Sequence, residues 1–179
     1  MKDRQITQKD IERWKSNSLK IAEKLGYDKN ILERVRKKVK INLKTTKIPD
    51  NLWFGFANPL FNEVDIYSTN LFSKSDIEIL STLRNKNIPE KTINKIRILL
   101  KTVPGKILFE IFNQSGMDHE LIGHCYNLKT GKDHSEKAAV NVQLEFAKER
   151  SGLIFHRIPW KIVSLLAPII LHYHKKDEF

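Results

Sequence analysis

The chain has 179 residues, of which 40% are hydrophobic and 30% are charged, and its net charge is +11. This length and apolar fraction are typical of one folded protein and exclude a disordered or low-complexity chain. A single cysteine, Cys125, excludes an intramolecular disulfide and indicates a reducing compartment, so we expect a cytoplasmic protein. The longest apolar stretch, residues 162–171, is interrupted and too short to predict a transmembrane segment.

The first part of the chain, residues 1–47, predicts a basic helical hairpin. Apolar residues recur at helical spacing over residues 7–25 and again over residues 29–44. Residues 1–50 contain 15 basic and 7 acidic side chains, so this part carries most of the excess positive charge. We interpret the hairpin as a surface appendage with weak affinity for an anionic partner. A nucleic-acid-binding module is an alternative, although no recognition motif accompanies the charge.

The second part, residues 48–179, predicts a compact metal-binding domain with an α+β fold that is mostly helical. The aromatic-rich segment Leu52–Phe56 and the alternating segment Glu63–Ser68 predict a small antiparallel sheet. Helices are expected over most of the remaining residues, including a last helix over Pro159–Lys175. An extended peptide could pair with a sheet edge formed by Glu63–Ser68.

One predicted helix contains a possible metal-binding motif. Ser115 and Asp118 predict the start of this helix, and the sequence His119-Glu-Leu-Ile-Gly-His124 follows directly. Two histidines four residues apart share a helix face and can chelate zinc. On a regular α-helix, a spacing of five residues turns the side chains about 140° apart. A π-helical bulge near Gly123 would absorb the extra residue and bring both imidazoles together.

This motif closely resembles the His-Glu-Leu-Leu-Gly-His zinc motif of the dipeptidyl peptidase III family. The resemblance covers six residues and implies a gluzincin-like site, in which a small sheet lies beside the zinc-binding helix in a zincin-like fold. It implies that His119 and His124 bind Zn²⁺ and that Glu120 is the general base. A glutamate on a later helix would be the third ligand. We therefore expect a small zinc metallopeptidase that acts on a peptide or protein substrate.

Glu136 is the expected third ligand. The turn at Gly131 is short enough for the next helix to return towards the motif and carry Glu136 back. Glu145 and His134 are alternative ligands. Glu136 could instead serve only as the N3 residue of a capping box that begins at Asp133, in which case it would not bind metal.

Other residues define further alternatives. Gluzincins usually carry an aspartate four residues after the third ligand, a position that Val140 occupies in this chain. His156 or Tyr173 could stabilise an oxyanion. The alternative to a peptidase is a non-catalytic metal protein or di-iron helical bundle. The side chains available for such a site are Glu110, Glu120, His124, Glu136, Glu145 and Glu149.

Overall fold

The structure is a computed structural model, which describes residues 5–45, 54–69, 74–151 and 161–167. Within these ranges the protein is mostly helical and contains one three-stranded sheet, which confirms the α+β class. No described helix combines the length and the apolar character that crossing a membrane requires. Of the helix expected over Pro159–Lys175, only residues 161–167 are described, and they are helical.

Two helices open the described chain. α1 spans Gln8–Lys24 and begins with a capping box in which Thr7 and Asp10 exchange hydrogen bonds with each other's backbone N–H groups. α2 spans Lys29–Lys38. The prediction that this helix continues to residue 44 is wrong, because strand β1 spans Lys40–Lys44.

The error at β1 has a simple cause. Val35, Val39 and Leu43 lie four residues apart and fit one stripe of a helix. Val39, Ile41 and Leu43 also alternate with polar residues, which is the pattern of a strand. Val39 takes an extended conformation, with φ −79° and ψ 113°, and ends the helix.

The sheet is mixed rather than antiparallel. It has the order β1-β3-β2, with β2 over Gly55–Asn58 and β3 over Glu63–Tyr67. β1 pairs with β3 in parallel, and β2 pairs with β3 antiparallel. The expectation that Glu63–Ser68 offers a free edge is therefore wrong, because β3 has a partner on each side. Within the described residues, β2 lies at one edge of the sheet.

The helices that follow the sheet form the larger part of the fold. They are α3 (Asp76–Asn85), α4 (Glu90–Thr102), α5 (Gly105–Met117), a π-helix (Asp118–Tyr126), α6 (Asn127–Lys129) and α7 (Glu136–Ser151). α5, the π-helix and α6 follow one another without a break, so no helix begins at Ser115. The backbone N–H of Asp118 bonds to carbonyl groups of the preceding turn. Ser115 is buried inside this continuous helix, where tertiary packing overrides its preference for an N-cap.

One hydrophobic core joins the two ends of the described chain. Trp14 of α1 is 1% exposed and packs against Phe54 and Phe109, with ring centroids 6.3 and 6.2 Å away. Leu121 and Ile122 of the π-helix belong to the same cluster and are fully buried. The N-terminal helices are thus part of the core, and the expectation of a surface appendage is not supported.

Candidate metal centre

The π-helix places the two motif histidines on one face. A π-helix bonds each residue to the fifth one along, so residues five apart lie one turn apart. His119 and His124 accordingly meet, with their Nε2 atoms 3.1 Å apart and their rings in a T-shaped arrangement. The distortion expected near Gly123 is confirmed, and it extends over all nine residues of Asp118–Tyr126.

Glu136 reaches both imidazoles from the first residue of α7. Its Oε2 lies 3.0 Å from Nε2 of His119, and its Oε1 lies 3.4 Å from Nε2 of His124. The helix is capped by Ser135 instead, whose Oγ accepts the backbone N–H of Ala138 at 3.3 Å. The carboxylate of Glu136 is therefore directed at the histidines, and the capping role proposed for it is wrong.

The spacing of these donor groups can be compared with that of the ligands of a tetrahedral metal site. Two ligand atoms that each lie about 2.0–2.1 Å from a tetrahedral zinc are about 3.3 Å from each other. The two imidazole Nε2 atoms are 3.1 Å apart, and each lies near a different oxygen of the Glu136 carboxylate, at 3.0 Å for His119 and 3.4 Å for His124. Two imidazole nitrogens and one carboxylate form a donor set that zinc accepts, and they leave further coordination positions for other groups.

Glu120 lies beside this cluster. One of its carboxylate oxygens and a nitrogen of each of His119 and His124 are all within 4.8 Å of one another. Its Oε2 accepts the backbone N–H of Ala57 on β2 at 2.8 Å, so the sheet lies beside the motif helix as expected. Glu120 is buried, with 8% of the residue exposed, and this burial is the main reason that its pKa is raised above the ordinary value.

The ring of His124 is oriented by a backbone group. Its Nδ1 lies 2.7 Å from the carbonyl oxygen of His134, so a protonated Nδ1 donates there and leaves the Nε2 lone pair facing the cluster. His134 thus contributes its backbone carbonyl oxygen to the site. The sequence had suggested its imidazole as an alternative third ligand. Burial alone would lower the pKa of His124. The hydrogen bond to Glu136 and the negative charges of Glu120 and Glu136 outweigh burial, so the pKa of His124 is raised above its ordinary value.

Gly123 allows α7 to approach the π-helix closely. A Cβ atom at this position would lie 2.6 Å from both Cα and Cβ of Ala139. Ala139 is one turn beyond Glu136 on the same helix, so any outward shift of α7 at this contact would also move the Glu136 carboxylate. The glycine of the motif therefore has a packing role in addition to the backbone freedom that the sequence indicates.

The other carboxylates considered for a metal site are held elsewhere. They bind neighbouring side chains in the pairs Glu110 with Arg13, Glu145 with Tyr27, and Glu149 with Lys24. Glu145 is therefore not brought to the motif as a third ligand, and the six residues of the di-iron alternative do not gather. The thiol of Cys125 is buried, which raises its pKa to about 12 and keeps it neutral. His156 and Tyr173 lie outside the described residues.

Two parts of the site had no signal in the sequence. The N–H of Ala57 and the carbonyl of His134 are backbone groups, and every residue type other than proline offers the same pair. Their roles depend on how β2 and the turn before α7 pack against the motif helix. Side-chain patterns could therefore predict the donors of the cluster but not the groups that hold them.

Comparison with known proteins identified no relative of this chain. No protein-family model matches the chain, and neither a curated protein nor a solved structure does. The fold and the site together define an α+β protein with a histidine and glutamate cluster that can hold a metal ion.

Proposed function

We propose that this chain is a zinc-dependent peptidase in which His119, His124 and Glu136 hold the metal and Glu120 is the general base. The observation that carries the proposal is the convergence of two imidazole nitrogens and the Glu136 carboxylate, with contacts of 3.0–3.4 Å between them. The two imidazoles meet because the π-form of their helix matches the spacing of the motif. The resemblance to the dipeptidyl peptidase III motif supports the reaction class.

Bound zinc supplies a site where a water molecule becomes acidic near neutral pH and a carbonyl group is polarised. Glu120 removes the proton of the attacking water and passes it to the leaving amine. The hydrogen bond from the Ala57 N–H fixes the orientation of the Glu120 carboxylate.

A second candidate is a non-catalytic metal site. It is favoured by the deep burial of Glu120 and by the presence of its carboxylate within the same 4.8 Å cluster as the histidine nitrogens. If Glu120 were a fourth ligand beside Glu136, the site would be closed and no open position would remain for a reacting water.

The substitution Glu120→Gln separates the two candidates. A general base can be replaced by an amide without loss of metal, so the peptidase proposal expects one zinc per chain and hydrolysis reduced by about 10²–10⁴-fold. The measurements are metal content after dialysis and cleavage of a mixed-sequence peptide library. Loss of zinc in this variant would instead identify Glu120 as a ligand and contradict the mechanism.

Two further variants complete the test. Glu136→Gln is expected to lose zinc and activity together, because it removes a charged ligand. Glu145→Gln is the matched control, since this glutamate of α7 binds Tyr27 and not the cluster, and both properties should persist. A wild-type protein that binds zinc but cleaves no peptide would contradict the peptidase and leave the non-catalytic site.

A further inference from the structure

Two buried side-chain polar atoms lack a hydrogen-bond partner within the part of the chain that the structure describes. They are Nδ1 of His119 and Oε1 of Gln143. His119 is 5% exposed and Gln143 is 3% exposed. An unpaired buried polar atom is unfavourable, and native proteins satisfy nearly all of them with protein groups or ordered water. These two atoms therefore require an explanation.

The two atoms are chemically complementary. Nε2 of His119 faces Glu136 and His124, and a nitrogen that binds a metal must present a lone pair. The proton of this neutral imidazole then lies on Nδ1, which becomes a donor. The Nε2 amide of Gln143 donates to the carbonyl oxygen of Ser115 at 3.1 Å, which leaves Oε1 as an acceptor. One atom needs an acceptor and the other needs a donor.

The packing of α7 against the π-helix places His119 and Gln143 at similar heights along the two helices. Ala139 of α7 lies against Gly123 of the π-helix, and Gln143, one turn further along α7, bonds to Ser115. The two segments therefore run in opposite directions. His119 lies between Ser115 and Gly123 on its helix, opposite the turn of α7 that leads from Ala139 to Gln143.

We propose that Gln143 is a positioning residue for the metal centre. The Nδ1–H of His119 donates to one buried water molecule, and this water donates to Oε1 of Gln143, so that both atoms gain a partner. This link fixes the tautomer and the ring plane of His119, as the carbonyl of His134 does for His124. The inference rests on the proposed function, in which His119 is a zinc ligand.

Zinc affinity tests the link. Gln143→Met keeps the shape of the side chain but removes the acceptor, and we expect zinc affinity, measured by competition with a chromogenic chelator, to fall about 10–100-fold. Asn42→Leu is the control, because Asn42 donates its amide to Asp65 at 2.9 Å and lies on β1, which β3 separates from the strand that contacts Glu120. The control should bind zinc as wild type does.

The ring signals of His119 give a second readout that does not need the variant to fold. In the zinc-loaded wild type, ¹⁵N–¹H NMR should detect a slowly exchanging proton on Nδ1 of His119. A proton on Nε2, or one on Nδ1 that exchanges rapidly, would overturn the inference. Equal zinc affinity of Gln143→Met and wild type would also overturn it while leaving the proposed function intact. Failure of the wild type itself to bind zinc would contradict the proposed function.

Discussion

The carboxyl group of Glu120 is held in an environment that opposes its ionisation. Burial is the largest contribution to its raised pKa, and the charge of Glu136 acts in the same direction. The neighbouring His119 and His124 lower the pKa, and so does the hydrogen bond from Ala57, but they do not cancel the effect of burial. Glu120 therefore holds its proton more tightly in the metal-free folded chain than in the unfolded chain.

This difference predicts how the stability of the metal-free protein depends on pH. A group whose pKa is raised on folding contributes stability below its ordinary pKa, and that contribution is lost as the pH rises through the folded value. Glu120 has an ordinary pKa of 4.5, and the raised pKa of His124 acts with the same sign. The free energy of unfolding of the wild type should therefore fall above pH 4.5 relative to that of Glu120→Gln. Urea unfolding with a chelator at a series of pH values measures this difference, and a flat or rising difference would contradict the assignment.

The contact at Gly123 gives a second prediction. Gly123→Ala places a methyl group against backbone atoms of Ala139 that cannot move without α7, so we expect a loss of about 1–3 kcal/mol and strongly weakened zinc binding. Gly26→Ala is the control. Its positive φ of 80° makes alanine unfavourable by about 1–2 kcal/mol, but nothing lies within 4 Å of the added methyl group. Zinc affinity should survive in the control, and its survival in Gly123→Ala would show that the close approach is not needed.

The π-helix is anchored at its first residue by an ion pair. Asp118 is fully buried and binds the guanidinium of Arg150 on α7, with one of the two contacts at 2.8 Å. The same carboxylate accepts the hydroxyl proton of Ser18 on α1 at 2.6 Å. Three helices therefore meet at the residue that precedes the first motif histidine.

Loss of the ion pair between Asp118 and Arg150 should strongly destabilise the fold. Arg150→Met leaves the Asp118 carboxylate buried without its cation, and we expect a loss of about 3–5 kcal/mol in the free energy of unfolding. Combining it with Asp118→Asn removes the unpaired charge, so the double variant should lose less than the sum of the single changes. A double-mutant cycle by urea denaturation measures the coupling. Strictly additive losses would contradict the description of the pair as one unit.

Local patterns predicted those helices and strands whose own residues decide their structure. α1 and β3 follow from their apolar spacing, and the π-distortion follows from a five-residue spacing that a regular helix cannot use. β1 was missed because the apolar residues Val39 and Leu43 fit both the helical spacing and the alternation of a strand. The helix start expected at Ser115 is absent because burial of that segment against the rest of the core overrides the local capping signal. The four side chains of the candidate site were predictable, whereas their backbone partners depend on tertiary packing.

The described chain folds around a single core that includes its N-terminal helices. Ile11, Trp14 and Leu19 of α1 are each 1% exposed, and Leu32 of α2 belongs to the same cluster. The basic side chains of α2 and β1 lie on the surface, so the charge of this region is separate from its contribution to the core. The exposed ones are Lys29, Arg34, Arg36, Lys37, Lys38 and Lys40, and Lys44 of β1 is half-buried. A weak anionic partner for them stays a prediction.

This arrangement predicts opposite outcomes for the two kinds of residue. Trp14→Ala should lower the free energy of unfolding by about 3–5 kcal/mol, because a fully buried aromatic residue is removed. Lys37→Ala with Lys38→Ala should change it by less than about 0.5 kcal/mol, as expected for exposed side chains. Thermal and urea unfolding would measure both. A Trp14→Ala variant as stable as wild type would mean that α1 is an appendage after all.

The central claim is that the motif helix holds zinc through His119, His124 and Glu136. A crystal structure of the zinc-loaded protein, with anomalous scattering measured at the zinc edge, tests it most directly. We expect one zinc per chain, about 2.0–2.2 Å from Nε2 of each histidine and from the Glu136 carboxylate, on a helix that remains π-helical. A zinc ion bound elsewhere, or a regular α-helix through Gly123 with the two imidazoles turned apart, would contradict the claim.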